Sequence, residues 1–236
     1  MVSDGNTLKV FVGYDSREDI AWEVCRYSIL RHARRPVSVH PIRQSAVREL
    51  GLYTRPFDAT STTEFSLTRF LTPYLAAQGG WAIFCDCDFL FTGDIGEVLE
   101  GVSPDNAVYV VQHEYQPKLG IKMDGKAQTS YPRKNWSSFI LFNLDHRDVR
   151  ALTPEIVNQS APSYLHRFEW IADQSDIGAL DLRWNFLEGE YPFPDKTPTA
   201  IHYTNGGPWF EERGNVDFGD LWTAEAERVS AGACAA

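Results

Sequence analysis

Residues 81–88 read Trp81-Ala82-Ile83-Phe84-Cys85-Asp86-Cys87-Asp88. The run Trp81 to Cys85 is apolar and follows Gly79-Gly80, the pattern of a strand buried on both faces at the centre of a parallel sheet. It then delivers two carboxylates at positions i and i+2. Leaving a buried strand together, these acids repel each other, and burial makes each harder to charge. A divalent cation removes that cost. Carboxylate oxygens suit Mn²⁺ or Mg²⁺, whose remaining positions are filled by water and by the phosphate oxygens of a substrate. The carboxyl end of a parallel strand is also where open α/β sheets bind ligands. Asp86 and Asp88 are therefore expected to ligate a metal, with Cys87 between them counted among the cofactor-binding residues. The competing reading makes the two acids turn formers or helix caps.

Working outward, Leu8-Lys9-Val10-Phe11-Val12 is a strand closed by Gly13. Ser16 precedes Asp19 by three residues, close to a capping box, and Ile20, Ala21, Val24, Cys25 and Ile29 follow at helical spacing. Val37 to Ile42 is a second strand. This β-α-β opening predicts a parallel sheet of the nucleotide-binding type. Residues 43–65 read as irregular, and 66–77 as a helix that Pro73 kinks or restarts. A short helix at 94–99, strands at 107–111, 139–142 and 200–203, and a closing helix at 217–229 follow. Thr153-Pro154 starts a further helix. A long polar loop covers 113–135, and loops of that length are commonly functional. No repeat, low-complexity tract or linker breaks the pattern. The expectation is a single α/β domain over 1–236, with a mostly parallel, Rossmann-like central sheet flanked by helices. Its nucleotide and metal half covers about 8–112 and its acceptor half about 113–236.

The chain has 236 residues, 43% hydrophobic and 23% charged, which excludes disordered, collagen-like and coiled-coil classes. A formal net charge of −10 argues against nucleic acid or an anionic membrane surface as partner. No stretch reaches the ~20 apolar residues of a membrane span. Met1 to Thr7 lacks the basic and apolar regions of a secretory signal. Cys25, Cys85, Cys87 and Cys234 show no zinc spacing and read as core thiols, Cys85 and Cys87 being too close for an ordinary disulfide. A reducing, cytoplasmic location is expected.

Other residues carry candidate chemistry. Gly13-Tyr14-Asp15 ends the first strand, so Tyr14 could stack on a base and Asp15 accept from a base or ribose; turn formation competes. Arg69 could hold a phosphate bidentately or form a surface salt bridge. In His202-Tyr203-Thr204-Asn205-Gly206-Gly207-Pro208-Trp209, His202 is placed to be a third metal ligand. Gly206 and Gly207 would let backbone amides approach a phosphate. Asp173-Gln174 could assist cleavage at an anomeric carbon, or begin a helix with acids that its dipole favours. Trp136, Trp184 and Trp209 could stack on sugar faces.

In this order, the elements Gly13-Tyr14-Asp15, Ser66-Leu67-Thr68-Arg69-Phe70 and Asp86-Cys87-Asp88 resemble the GT-A glycosyltransferases. Within them the chain is most similar to glycosyltransferase family 8, the glycogenin and bacterial lipopolysaccharide galactosyltransferase group. The resemblance implies Asp86, Asp88 and His202 as ligands of Mn²⁺ or Mg²⁺. It implies a nucleotide-sugar donor, UDP-linked, and a glycan, lipid-linked or protein acceptor. Asn135-Trp136-Ser137-Ser138-Phe139-Ile140-Leu141-Phe142-Asn143 resembles the family's Asn-x-Gly strand, without its glycine. Asp173-Gln174 resembles its Asp-Gln pair beside the reacting sugar, and so is implied as catalytic. His202-Tyr203-Thr204 and Pro208-Trp209 match its C-terminal element, where Gly207 replaces a lysine. The phosphate contact of that lysine is then missing or supplied by Lys122, Arg133 or Lys134. Lys134, Asn135, Trp136, Ser137 and Trp209 are implied as substrate-binding. Two rivals are a phosphohydrolase of the haloacid dehalogenase kind, against which Phe89-Leu90 speaks, and a non-catalytic nucleotide-sugar-binding module.

Overall fold

The computed structural model describes residues 7–57, 63–77, 79–114 and 133–232. Strands β1 (Leu8–Gly13), β2 (Val37–Ile42), β3 (Trp81–Cys85), β5 (Val108–Val111), β6 (Phe139–Asn143) and β7 (Ile177–Leu180) form a six-stranded sheet in the order β2-β1-β3-β6-β5-β7. The apolar run at 81–85 is the third strand of that order, as its composition demands. Ala82, Ile83, Phe84 and Cys85 are fully buried. β1 pairs in parallel with β2 and β3, and β7 with β5; β6 alone runs against both of its neighbours. That reversal sets Phe139 beside Cys85 and Asn143 beside Trp81. The chain entering β6 therefore arrives at the edge where β1, β2 and β3 end.

A second, three-stranded sheet orders β4 (Phe89–Phe91), β9 (Ala200–His202) and β8 (Phe186–Leu187) as β4-β9-β8. Sequence pattern missed β4, because three apolar residues just after a strand look like its continuation. Helix α1 (Asp19–His32) buries Ala21, Val24, Cys25, Ser28 and Ile29 and packs on β4 and on α7 (Gly219–Ser230). Val24 joins Leu90, Ile201, Tyr203, Phe218 and Trp222 in a second apolar cluster. Burying a side chain such as Val24 or Ile29 contributes about 1.5–3 kcal/mol, an upper estimate against an extended chain. These contacts fasten the small sheet, and with it His202, beside the large one.

Several local expectations change. Helix α2 (Gln44–Glu49) lies in the segment read as irregular; it buries only Val47, so it left no periodic stripe. The expected helix at 66–77 is a 3-10 turn, Thr68–Leu71, followed by α3 (Thr72–Ala76). Pro73 stands in the first turn of α3, where its missing N–H costs no bond. Ser16 is not the cap: Asp15 accepts from Arg17 N and caps a 3-10 turn at Ser16–Glu18, while Ser16 Oγ donates to Glu64. Thr153 caps α5 (Pro154–Gln159) as expected. Between β6 and that helix lies α4 (Arg147–Ala151), and α6 (Pro162–His166) follows it. Most of the 113–135 loop, including Lys122, lies outside the described residues, as does Cys234. No described helix is long and apolar enough to cross a membrane.

Candidate active site

Register fixes the layout of one sheet edge. Gly13 lies opposite Ile42, and Val12 opposite Cys85, so Arg43, Tyr14 and Asp86 emerge side by side from β2, β1 and β3. Gly13 is required there, because a Cβ would fall 2.4 Å from the Phe65 ring. The antiparallel start of β6 brings Ser138 to the same edge, where its carbonyl accepts from Asp86 N at 2.9 Å.

Asp86, Asp88 and His202 converge, each offering one ligand atom within 4.8 Å of the others. Oxygen and nitrogen atoms gathered this closely could hold one divalent cation. His202 is 2% exposed and stacks on Phe89, its cross-strand partner, with ring centroids 4.4 Å apart. Its Nδ1 meets Asn185 Oδ1 at 2.9 Å. Asn185 is fully buried and uses its amide nitrogen to donate to Asn135 O and Ser138 Oγ. Its Oδ1 must therefore accept, which places a proton on His202 Nδ1. In the neutral ring Nε2 then presents a lone pair 3.3 Å from Asp88 Oδ2. A proton or a metal cation between these two atoms removes the repulsion that a bare lone pair would feel from the carboxylate. Asp88 Oδ1 is buried and has no hydrogen-bond partner among the described residues. Oxygen, oxygen and imidazole donors with an orphaned carboxylate oxygen fit a divalent cation.

Asp86 is held from behind. Arg69, 6% exposed, meets Asp86 Oδ1 at 2.9 Å and Oδ2 at 3.5 Å. It also donates to Ser137 O at 2.7 Å and Ser66 O at 3.0 Å. The surface salt bridge weighed from sequence is thus a buried one that orients a site acid. Glu18 adds a further carboxyl nearby: burial and the charges of Asp88 and Asp15 push it up to about 8.

The sequence is 48% identical to protein CDI of Arabidopsis thaliana over 232 residues, 97% of this chain and 89% of that one. The chain belongs to the protein CDI family. No family model matches it. Among solved structures, this CDI-family chain superposes on the bifunctional glycosyltransferase WbbM with a TM-score of 0.62 at 19% identity, over 96% of its length. For the glycosyltransferase GlyE of Streptococcus pneumoniae TIGR4 the values are 0.63, 13% and 94%. The chain spans 50% of the WbbM chain and 60% of the GlyE chain. The galactosyltransferase LgtC, solved with donor and acceptor sugar analogs, matches with a TM-score of 0.54 at 13% identity, covering 93% of this chain and 95% of that one. The CDI-family chain thus has the glycosyltransferase GT-A fold, an α/β architecture around a mostly parallel sheet.

Within that fold several sequence candidates have other employment. Asp15 is fully buried; its carboxylate accepts from Arg17 Nε, Nη2 and N and from Glu64 N. It forms the turn. Gly206 N donates to Tyr203 O at 2.7 Å, and Gly207 is covered by the Trp209 ring, which a Cβ would meet at 2.0 Å. Trp209, partly exposed, packs on Tyr203 and Trp222, and the buried Trp184 packs on Phe139. Lys134 is buried. Asn135 adopts a left-handed backbone with φ 63°, and its carbonyl accepts from Ser138 and Asn185. Ser137 Oγ meets His166 Nδ1 at 2.8 Å, and Trp136 Nε1 donates to His113 O at 3.4 Å.

Asp173 and Gln174 are engaged in local structure. β7 pairs Ile177 with Val108, and β5 pairs Val108 with Phe142. The residues before Ile177 therefore approach the sheet at the end opposite Asp86. There Asp173 is an exposed cap that accepts from Ser175 N and Oγ. The Gln174 amide is engaged by Arg133, Phe168 O and Ile171 O. The helix-start reading explains both. Sequence reasoning in turn missed Glu18, hidden among acids at a helix start, and Asn185, a lone amide without any spacing signal.

Proposed function

We propose that the chain is a metal-dependent glycosyltransferase that moves a hexose from a nucleotide-diphosphate sugar, UDP-linked, to a glycan, lipid-linked or protein acceptor. The observation that carries this reading is the Asp86–Asp88–His202 cluster at the carboxyl edge of a GT-A sheet, with Asp88 Oδ1 orphaned and His202 Nε2 aimed at Asp88. The family-8 resemblance of the sequence and the sugar analogs named for LgtC supply the donor class. The location we infer is a reducing one such as the cytoplasm, where the buried thiols Cys25, Cys85 and Cys87 stay free.

Asp86, Asp88 and His202 would hold Mn²⁺ first and Mg²⁺ second, because an imidazole nitrogen suits the softer ion better. Such an ion, when bound, neutralises charge on a diphosphate leaving group. The chain's own part is pre-organisation. Arg69 fixes the Asp86 carboxylate through both oxygens, and Asn185 fixes the proton of His202 on Nδ1. Asp15 shapes the turn that carries Tyr14. An Asp86 clamped in this way is a poor nucleophile, which disfavours an aspartyl-phosphate route. Asp173 and Gln174 have no part in this reading, and the group beside the anomeric carbon is left to the edge that holds the cluster.

A thermal-shift screen of UDP- and GDP-linked sugars with and without Mn²⁺ tests the proposal. A donor at ~100 times its Kd stabilises by about 2.7 kcal/mol. We expect that gain only with metal, release of the nucleoside diphosphate on incubation, and loss of both in Asp88→Asn. A metal-independent gain that survives Asp88→Asn refutes the mechanism.

A further inference from the structure

We propose that the guanidinium of Arg43 is the platform on which the nucleobase of the donor lies. This rests on the glycosyltransferase reading and adds a residue that neither motif nor resemblance marks. Arg43 is the first residue past β2, and its guanidinium carbon sits 3.6 Å from the centroid of the Tyr14 ring. It lies 5.9 Å from the Trp22 ring, which meets Tyr14 edge-on at 6.2 Å. Tyr14 is fixed in turn, because its hydroxyl donates to Asp19 Oδ1 at 2.6 Å and its amide to Ile42 O at 3.2 Å. The stack is therefore braced from beneath. No Asp or Glu among the described residues forms an ion pair with Arg43; its guanidinium meets Tyr14, whose hydroxyl donates to Asp19. An arginine stacked at a site edge without a carboxylate is a plane prepared for another plane.

The consequence for Tyr14 is direct. One face of the phenol is already covered, so an incoming base meets the outer face of the guanidinium rather than the tyrosine. Bases stack on arginine planes as they do on aromatic rings, with little preference among bases. Position agrees. β2 and β3 are separated by β1, and two inter-strand spacings put the platform about 10 Å from the acids along the sheet edge. That separation suits a nucleotide whose base lies on Arg43 and whose diphosphate reaches Asp86 and Asp88.

The test is calorimetric titration of the full chain with Mn²⁺, using UDP, ADP and base-free inorganic pyrophosphate as probes. Two variants separate plane from charge: Arg43→Ala removes both, and Arg43→Lys keeps the charge alone. Arg43 is partly exposed, and unliganded melting checks that both variants fold. We expect UDP and ADP to weaken about tenfold or more in both variants, with pyrophosphate unchanged. Wild-type affinity in Arg43→Lys, or pyrophosphate weakening in step with UDP, makes Arg43 a phosphate contact and overturns the platform. UDP binding that survives both variants overturns the platform and leaves the glycosyltransferase reading standing. A wild-type chain that binds pyrophosphate and no nucleotide overturns both.

Discussion

The two ends of the six-stranded sheet both gather acids, and they treat them in opposite ways. At the end where β5 and β7 begin, four described acids each have a partner. Asp145 accepts from Gly80 N and pairs with Arg150, Asp148 accepts from Ala172 N, Asp173 accepts from Ser175, and Asp176 faces His146. At the end where β1 and β3 stop, Asp88 keeps a buried oxygen without a partner, and Glu18 sits among like charges. The first end is local architecture: short hydrogen bonds that cap turns and cost little. The second is electrostatically incomplete, and a fold retains such a defect only where something else completes it. The lesson is that acids mark a site by what they lack, so identity and spacing alone are a weak guide.

The sharpest way to break this contrast is to remove the buried cation that clamps Asp86. Arg69→Met leaves Asp86 buried without its counter-charge, and stripping one partner from a buried pair costs about 3–5 kcal/mol. Urea unfolding of the metal-free protein should show that loss, and Mn²⁺ should recover part of it by supplying charge to the same carboxylate. A cost below about 1 kcal/mol would mean that Asp86 is solvated like a surface acid, and the edge would not be the special place described here. The next effect in size belongs to Asp88→Asn. It should abolish the metal-dependent gain of about 2.7 kcal/mol expected at ~100 times Kd, while the metal-free variant melts at or above the wild-type temperature because a repulsion has gone.

The two ends should also respond oppositely to pH. Glu18 has a folded pKa of about 8 against an ordinary 4.5, so the folded state holds the extra proton between those values. Its stability is then greatest below the unfolded value and falls as pH rises through about 8. Asp173 and Asp145 are held below the usual carboxylate range, chiefly by the hydrogen bonds from Ser175 and from Gly80 N. Their contribution is present above the unfolded pKa and is lost on acidification. Melting of metal-free Glu18→Gln against wild type from pH 5 to pH 9 should show the variant gaining with pH and levelling off above about 8. A flat difference would mean that Glu18 is ionised in the folded protein at neutral pH.

What could be read from residues alone follows the same division. β1, β3, β5 and β6 were legible as strands because each is an apolar run, and β2 through its alternating Val37 and Val39; their order in the sheet was not read. The meeting of Asp86, Asp88 and His202 was legible through a motif order and not through any local pattern. β4, β7 and β8 were not legible, since their two to four residues carry no clear period. Arg43 was not legible either, because its significance depends on a ring that a different strand supplies. Asp15 shows the converse failure. Its position after β1 suggested a ligand contact, but a buried carboxylate beside free backbone N–H groups and an arginine satisfies those first.

The smallest expected effect is the most pointed, because it asks whether a resemblance in two letters outweighs a register. Asp173-Gln174 matches the family's pair beside the reacting sugar, yet β7, β5 and β6 in succession carry it to the end opposite the cluster. Asp173→Asn retains the cap, since asparagine caps as well as aspartate. It removes only an exposed charge, so melting should hardly change. The variant should bind Mn²⁺ and UDP and turn over the donor as the wild type does. A fall in donor turnover of two or more orders of magnitude, with unchanged melting, would require the carboxylate at the reacting centre. The 167–176 segment would then have to cross to the other edge when donor binds, and the contrast between the two ends would describe only the resting molecule.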